Sequence, residues 1–144
     1  MRRRAYAPFV ALVETHPLGN GEVELRAEDG YLRVIERGDP ESVDAMLAYA
    51  AAMERARVRV AVPGVLVVAQ RAAQTTTVSD WQAIREARWR SLAASGAERI
   101  AVIVDDELAV VRVRMAAIAA KAKVRAFVRE DDAIAWLRGD ATRP

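Results

Sequence analysis

Short apolar runs rich in β-branched residues alternate with longer runs at helical spacing over most of the chain, and this alternation constrains the fold more than any other feature. From residue 22 onward the pattern predicts the element order β-β-α-β-α-β-α-β-α. Strands that alternate with helices pair in parallel through right-handed crossovers. We therefore expect the α/β class: a mixed, mostly parallel five-stranded sheet with a β-hairpin at its start and about four helices.

The hairpin is predicted by the stretch "EVELRAEDGYLRVIERG", in which two alternating runs flank Glu28-Asp29-Gly30. Asp-Gly between such runs indicates a tight turn, because glycine supplies the positive φ that the turn needs. Glu22 to Arg26 and Tyr31 to Arg37 should therefore pair as antiparallel strands.

The first helix should begin just after the hairpin. Asp39 is suited to be its N-cap, and Pro40 to be its first residue, where a missing N–H costs nothing. Apolar residues then recur at helical spacing and predict a helix of about four turns that ends near Arg57.

Three more strand-and-helix pairs follow. The strands are predicted from "VPGVLVVAQ", "RIAVIVDD" and "VRAFVR". Three helices should follow these strands. The first runs from Asp80 to about Ala94, the second covers "ELAVVRVRMAAIAAKAK", and the third runs from Glu130 to Arg138. Ser79 and Gln82 have the spacing of a capping box for the first of these. The stretch "AVVRVR" also fits a strand, but a helix is favoured because an apolar stripe continues at helical spacing, namely Leu108, Val111, Met115, Ile118 and Ala122.

Length and composition limit the number of domains and the classes of partner that we expect. The chain has 144 residues, no cysteine and a formal charge of +2, so we expect one domain, no disulfides and no nucleic-acid partner. No apolar run approaches the roughly 20 residues that a membrane span needs. We expect a cytoplasmic protein with an N-terminal tail or extra edge strand over 1–21, the domain over 22–139, and a short tail over 140–144.

The end of the sequence resembles a known family. The tail "RIAVIVDD … VRAFVREDDAIAWLRG" is similar to the closing half of the SpoIIAA-like branch of the STAS domain superfamily, small bacterial proteins related in fold to the lipid-binding CRAL-TRIO domains. Ile100-Ala101-Val102, Phe127, and Ala133 to Leu137 carry the resemblance. It implies a single-domain (βα) superhelix and a non-enzymatic role in protein interaction, signalling or sensing.

Some STAS domains are switched by phosphorylation of a serine or threonine after a central strand. The matching loop here reads "QRAAQTTTVSDW", and it offers four hydroxyls: Thr75, Thr76, Thr77 and Ser79. They form a candidate phospho-switch, since a phosphate beside exposed helix N–H groups is electrostatically favourable. The loop lacks the Asp-Ser dipeptide and following glycine of switched members. The alternative is that Thr77 and Ser79 only cap the next helix.

Trp89 and Trp136 can each lie either in the core or on the surface. On the second helix, Trp81, Ile84, Ala87, Ser91 and Leu92 should form the inward arc. Trp89 lies off that arc, so it forms a candidate interface with Arg85 and Arg88, residue types that are enriched in binding hot spots. The alternative is a solvated face with arginines over the ring. Trp136 near the C-terminus should instead pack into the core against Phe127.

No catalytic centre is expected. The single histidine, His16, offers no Ser-His-acid set, and no spacing suggests a metal site or a cofactor. The acidic triplets at 105–107 and 130–132 are explained by stabilisation of helix starts. The sequence thus predicts an interaction module whose partner is another protein or a second copy, or alternatively a carrier or sensor of a small apolar, lipid-like ligand.

Overall fold

The computed structural model describes residues 13–70 and 81–139. In chain order their elements are β1 (Val13–Pro17), β2 (Glu22–Ala27), β3 (Tyr31–Arg37), α1 (Val43–Val60), β4 (Gly64–Ala69), α2 (Trp81–Ala94), β5 (Arg99–Ile103), α3 (Glu107–Ala120), β6 (Val124–Phe127) and α4 (Glu130–Leu137). The predicted α/β class and four helices are confirmed, and residues 107–120 are helical rather than extended.

The strands form one mixed sheet in sequential order, β1-β2-β3-β4-β5-β6. The first three strands are antiparallel, and β3 to β6 run parallel. The predicted hairpin is present, with Arg26 opposite Arg33 and Gly30 at φ +94° in its turn. Six strands replace the expected five, because Val13 to Pro17 pair along the outer edge of β2.

The start of α1 differs from the prediction. Ser42, and not Asp39, is the N-cap, and its side chain accepts from the Ala45 N–H at 3.0 Å. Asp39 instead lies buried, and its backbone N–H donates to the Asn20 side chain at 2.8 Å. This contact fixes residues 39–41 against the β1–β2 turn and delays the helix by three residues. The helix also continues past Arg57 to Val60, and Ala61 ends it in the left-handed conformation.

The two faces of the sheet are covered unequally. Helices α1 and α2 pack on one face and enclose the larger core with side chains such as Leu25, Leu32, Val65 and Ile84. On the opposite face, among residues 13–70 and 81–139, only α4, eight residues long, packs on β4 to β6. Helix α3 lies beside the sheet edge, against β6 and α2. The position of α3 at this edge determines which of its faces meets solvent.

Candidate functional site

Helix α3 presents its large apolar side chains to solvent. Leu108, Val111, Met115 and Ile118 are 58%, 44%, 66% and 71% exposed; we call these four residues the α3 stripe. An amphipathic helix normally packs its apolar stripe on the core. The stripe that predicts this helix therefore faces the opposite way from the usual arrangement.

The other side of α3 is made of small residues. Ala117, two positions from Met115, is 4% exposed, and this face lies against β6 and α2. Alanines and valines let the helix backbone approach the sheet edge closely, whereas leucine and methionine would hold it away. Helix α3 is thus apolar on both faces, a pattern typical of helices covered on both sides.

Charged residues frame the stripe. Asp105, Asp106 and Glu107 lie at the N-terminal end of α3, where Asp106 caps the helix by accepting from the Ala109 N–H at 2.8 Å. Lys121 and Lys123 follow its C-terminal end, and both are exposed. The acidic triplet has the predicted helix-starting role. One end of the stripe is therefore acidic and the other basic.

A buried polar cluster joins the sheet to α1 and α2. Glu36, at the end of β3, is 2% exposed. Its Oε2 atom accepts hydrogen bonds from the Tyr49 hydroxyl at 2.5 Å and from Arg88 Nη1 at 2.8 Å. The Arg88 guanidinium also lies 5.9 Å from the centre of the Tyr49 ring. A carboxylate in the core is thereby neutralised and hydrogen-bonded, as burial of a charge requires.

The protonation states of this cluster follow from its burial. Burial raises the pKa of Tyr49 well above its usual value of 10, and the neighbouring Glu36 carboxylate raises it further. Burial alone would lower the pKa of Arg88, but the Glu36 carboxylate and Tyr49 outweigh it and raise the pKa above its usual range. Tyr49 therefore remains a protonated donor and Arg88 a cation under all ordinary conditions.

A cavity of about 500 Å³ opens beside this cluster, at the carboxyl ends of β3, β4 and β5. Glu36, Tyr49 and Arg88 line one wall. Apolar side chains from the helices and strands line much of the rest, among them Met46, Met53, Trp89, Leu92, Val102 and Val113. The carboxyl ends of parallel strands are a common position for ligand sites in α/β proteins.

The three residues of the candidate interface on α2 have different environments in the structure. Arg85 is exposed, whereas Arg88 is turned into the Glu36 cluster and cannot act as a free surface cation. Trp89 is half-buried and packs against the core, because α3 lies along α2 and covers that flank. Trp81, predicted to face inward, is exposed at the first residue of α2. The three interface residues therefore do not share one surface.

The candidate phospho-switch, Thr75, Thr76, Thr77 and Ser79, lies outside the described residues, so it stays a prediction. Trp136 does pack on Phe127, as expected, with ring centres 5.6 Å apart. The Arg99 and Arg125 guanidinium groups lie over its ring at 5.4 and 5.9 Å. The indole is half-buried and fastens α4 to β5 and β6.

The part of the sheet that α4 leaves uncovered, across β2 and β3, bears ion pairs. Glu24 accepts from Arg26 at 2.5 Å and from Arg37 at 2.7 Å. Hydrogen bonds from Arg37 and then Arg26 lower the pKa of Glu24 below its usual range. Arg33 pairs with Glu130 on α4 at 2.8 Å. This surface is polar and internally paired, so the α3 stripe is the larger apolar feature of the two.

Across 13–70 and 81–139, no three histidine or acidic side chains are grouped so that they could hold a metal ion. In the same ranges no helix combines the length and the apolar character that crossing a membrane would take.

The chain is similar to a solved structure, that of an uncharacterized protein of the DUF3478 family with a SpoIIAA-like fold from Shewanella loihica. The TM-score is 0.47 and the sequences are 14% identical, over 94% of this chain and 99% of that chain. No family model matches the sequence, and no curated protein matches it. Fold similarity at this level carries no information about function.

Proposed function

We propose that this chain is a non-enzymatic, cytoplasmic interaction module of STAS-like regulatory type, which recognises a protein partner through the α3 stripe. The outward orientation of Leu108, Val111, Met115 and Ile118 carries this proposal. Together they make a contiguous apolar patch of a size that on monomeric proteins usually marks a binding site, a few hundred Å².

The sheet surface across β2 and β3 and the buried cluster support the same function. The part of the sheet across β2 and β3 is occupied by the Glu24 ion pairs and offers little apolar area, since Glu24 and its cross-strand neighbour Ile35 are both buried. The buried carboxylate, Glu36, is held by Tyr49 and Arg88, which fits a structural role. A helix that exposes an apolar stripe between charged ends is a recurrent way of binding another protein.

A photo-crosslinker on the stripe tests this function. In Met115→p-benzoylphenylalanine, made in the native host and irradiated there, we expect a discrete protein adduct, because the side chain at 115 should contact the partner. The matched control is Val58→p-benzoylphenylalanine on α1, where Val58 is 60% exposed. The proposal is contradicted if position 115 gives no adduct beyond those of position 58.

The cavity favours a second candidate function, carriage or sensing of a small apolar ligand. Its volume, about 500 Å³, lies within the range of small-molecule sites, and its walls combine apolar side chains with the Glu36 cluster. A ligand there would place its polar group near Arg88 and its apolar part between α1, α2 and α3.

Native mass spectrometry of the chain purified from its host tests this second function. We expect a mass adduct that Ala109→Phe removes, because Ala109 lines the cavity and the larger ring would fill it. Ala93→Phe, at an exposed position of α2, should leave the adduct unchanged. A protein that carries no adduct, or an adduct insensitive to Ala109→Phe, would count against a ligand in this cavity.

A further inference from the structure

The α3 stripe is symmetric about Val113. Leu108 and Ile118 each lie five residues from Val113, and Val111 and Met115 each lie two residues from it. We infer that the partner of the stripe is a second copy of this chain, bound antiparallel across a twofold axis that crosses the stripe between Val111 and Met115, at the level of Val113 along the helix. This inference rests on the proposed function, for which it names the partner.

The twofold arrangement gives each large side chain an apolar neighbour. Antiparallel α3 helices place Leu108 opposite Ile118 of the second copy, and Val111 opposite Met115. The spacing of 3, 4 and 3 residues within the stripe is that of the a and d positions of a coiled-coil seam. A twofold interface needs one patch that is complementary to itself, and the α3 stripe meets that requirement.

The charge of Lys121 and the helix dipoles favour the antiparallel direction. Glu107 and Lys121 lie on the same flank of the stripe at its opposite ends, both exposed. An antiparallel pair brings Glu107 of each copy near Lys121 of the other and sets the two helix dipoles in opposite directions. A parallel pair would instead bring Glu107 near the exposed Arg112 of the second copy, but it would leave Lys121 without an acidic residue opposite it and would align the two helix dipoles. Arg112 and Arg114 lie on the two flanks close to the axis, each near its own counterpart in the second copy; both are exposed and keep their charges in water at the rim.

The size of the stripe sets the expected strength of the dimer. A stable dimer buries about 800 Å² on each partner, more than four side chains supply alone. The stripe can form the apolar centre, and the charged flanks and the neighbouring surface of α2 and β6 can form the rim. We therefore expect a reversible dimer with a dissociation constant on the order of 1–10 µM.

Sedimentation equilibrium of the full chain between about 1 and 200 µM measures this association. The wild-type chain should pass from monomer to dimer over that range. Val111→Glu should raise the dissociation constant at least about 100-fold, because it puts two charges at the centre of the interface. The matched control, Val58→Glu, changes an exposed valine of α1 and should leave the constant unchanged.

Charge reversal tests the direction of the helices. Glu107→Lys and Lys121→Glu should each weaken the dimer about 10-fold, and the double variant should recover most of the wild-type affinity. A parallel dimer would respond to Glu107→Lys, which faces Arg112 there, but not to Lys121→Glu, because Lys121 then has no charged residue opposite it. Unchanged affinity in Lys121→Glu would therefore overturn the antiparallel arrangement.

The remaining outcomes separate this inference from the proposed function. A wild-type chain that is monomeric throughout overturns the second copy as partner, as does a dimer that Val111→Glu leaves intact. A dimer that forms only after deletion of residues 1–12 would show that this segment covers the stripe, and it too overturns the inference. If a monomeric chain still gives a Met115 adduct with a different protein, the proposed function stands. If it gives no adduct, both fail.

Discussion

Arg88→Met is expected to lower the free energy of unfolding by about 3–5 kcal/mol, measured by urea denaturation. The substitution keeps much of the side-chain volume but removes the cation that neutralises Glu36 Oε2 at 2.8 Å. The carboxylate is 2% exposed, so it cannot recover its hydration. Breaking a buried ion pair from one side costs more than the pair contributes, because the remaining charge is left without compensation.

Two variants show whether the loss arises from the pair itself. Arg85→Met changes an exposed arginine one turn earlier on the same helix and should alter the free energy of unfolding by no more than about 0.5 kcal/mol. Combining Arg88→Met with Glu36→Gln should recover a large part of the loss, since no charge then remains in the core. Equal effects of Arg88→Met and Arg85→Met would show that Glu36 and Arg88 are not paired.

Local sequence signals predicted most of the fold. The Asp29-Gly30 turn fixed the hairpin register, and the alternation of strands and helices led to the parallel order from β3 onward. The start of a helix could be predicted where the capping residue has no contact with a distant part of the chain, as at Asp106. The start of α1 was not, because the distant Asn20 side chain holds Asp39 and no local pattern contains that contact. For residues 1–21 the sequence left open a tail or an extra edge strand. No local pattern shows that the segment now seen as β1 pairs with β2.

The Glu36 cluster was missed although the sequence carries signals for both partners. Glu36 continues the every-second-residue series of Leu32 and Val34, the core-facing positions of β3. Arg88 is four residues from Ile84 and four from Leu92, so it lies within the buried arc of α2. Taken alone, each charged residue indicates only that the core ends at that position. Only the packing of α2 beside β3, 52 residues away in sequence, shows that the two charges meet.

The orientation of α3 could not be predicted from periodicity. The run "ELAVVRVRMAAIAA" has apolar residues around nearly the whole helix, and periodicity marks only the largest of them. Which face packs on the sheet depends on the room beside β6, where the helix places the small face that includes Ala117. The interface that we propose therefore lies on a stripe that the sequence analysis used only to predict a helix, whereas the interface predicted from the sequence lies around Trp89.

Cysteine labelling tests this orientation, on which the proposed function depends. The chain has no cysteine, so Met115→Cys and Ala117→Cys each introduce a single thiol two residues apart on α3. A thiol at 117 reacts only when the helix leaves the sheet, whereas one at 115 lies in water whenever the chain is monomeric. The comparison should be made well below 1 µM protein, where a dimer of the expected affinity dissociates.

The decisive measurement is the rate of reaction of these two thiols with a maleimide in native buffer. We predict that the Met115→Cys variant reacts within a few-fold of its rate in 8 M urea, and that the Ala117→Cys variant reacts at least about 100-fold more slowly than in urea. Protection at 115 together with free reaction at 117 would place the large apolar side chains inside. The α3 stripe would then not be a surface, and the interaction module proposed from it would be wrong.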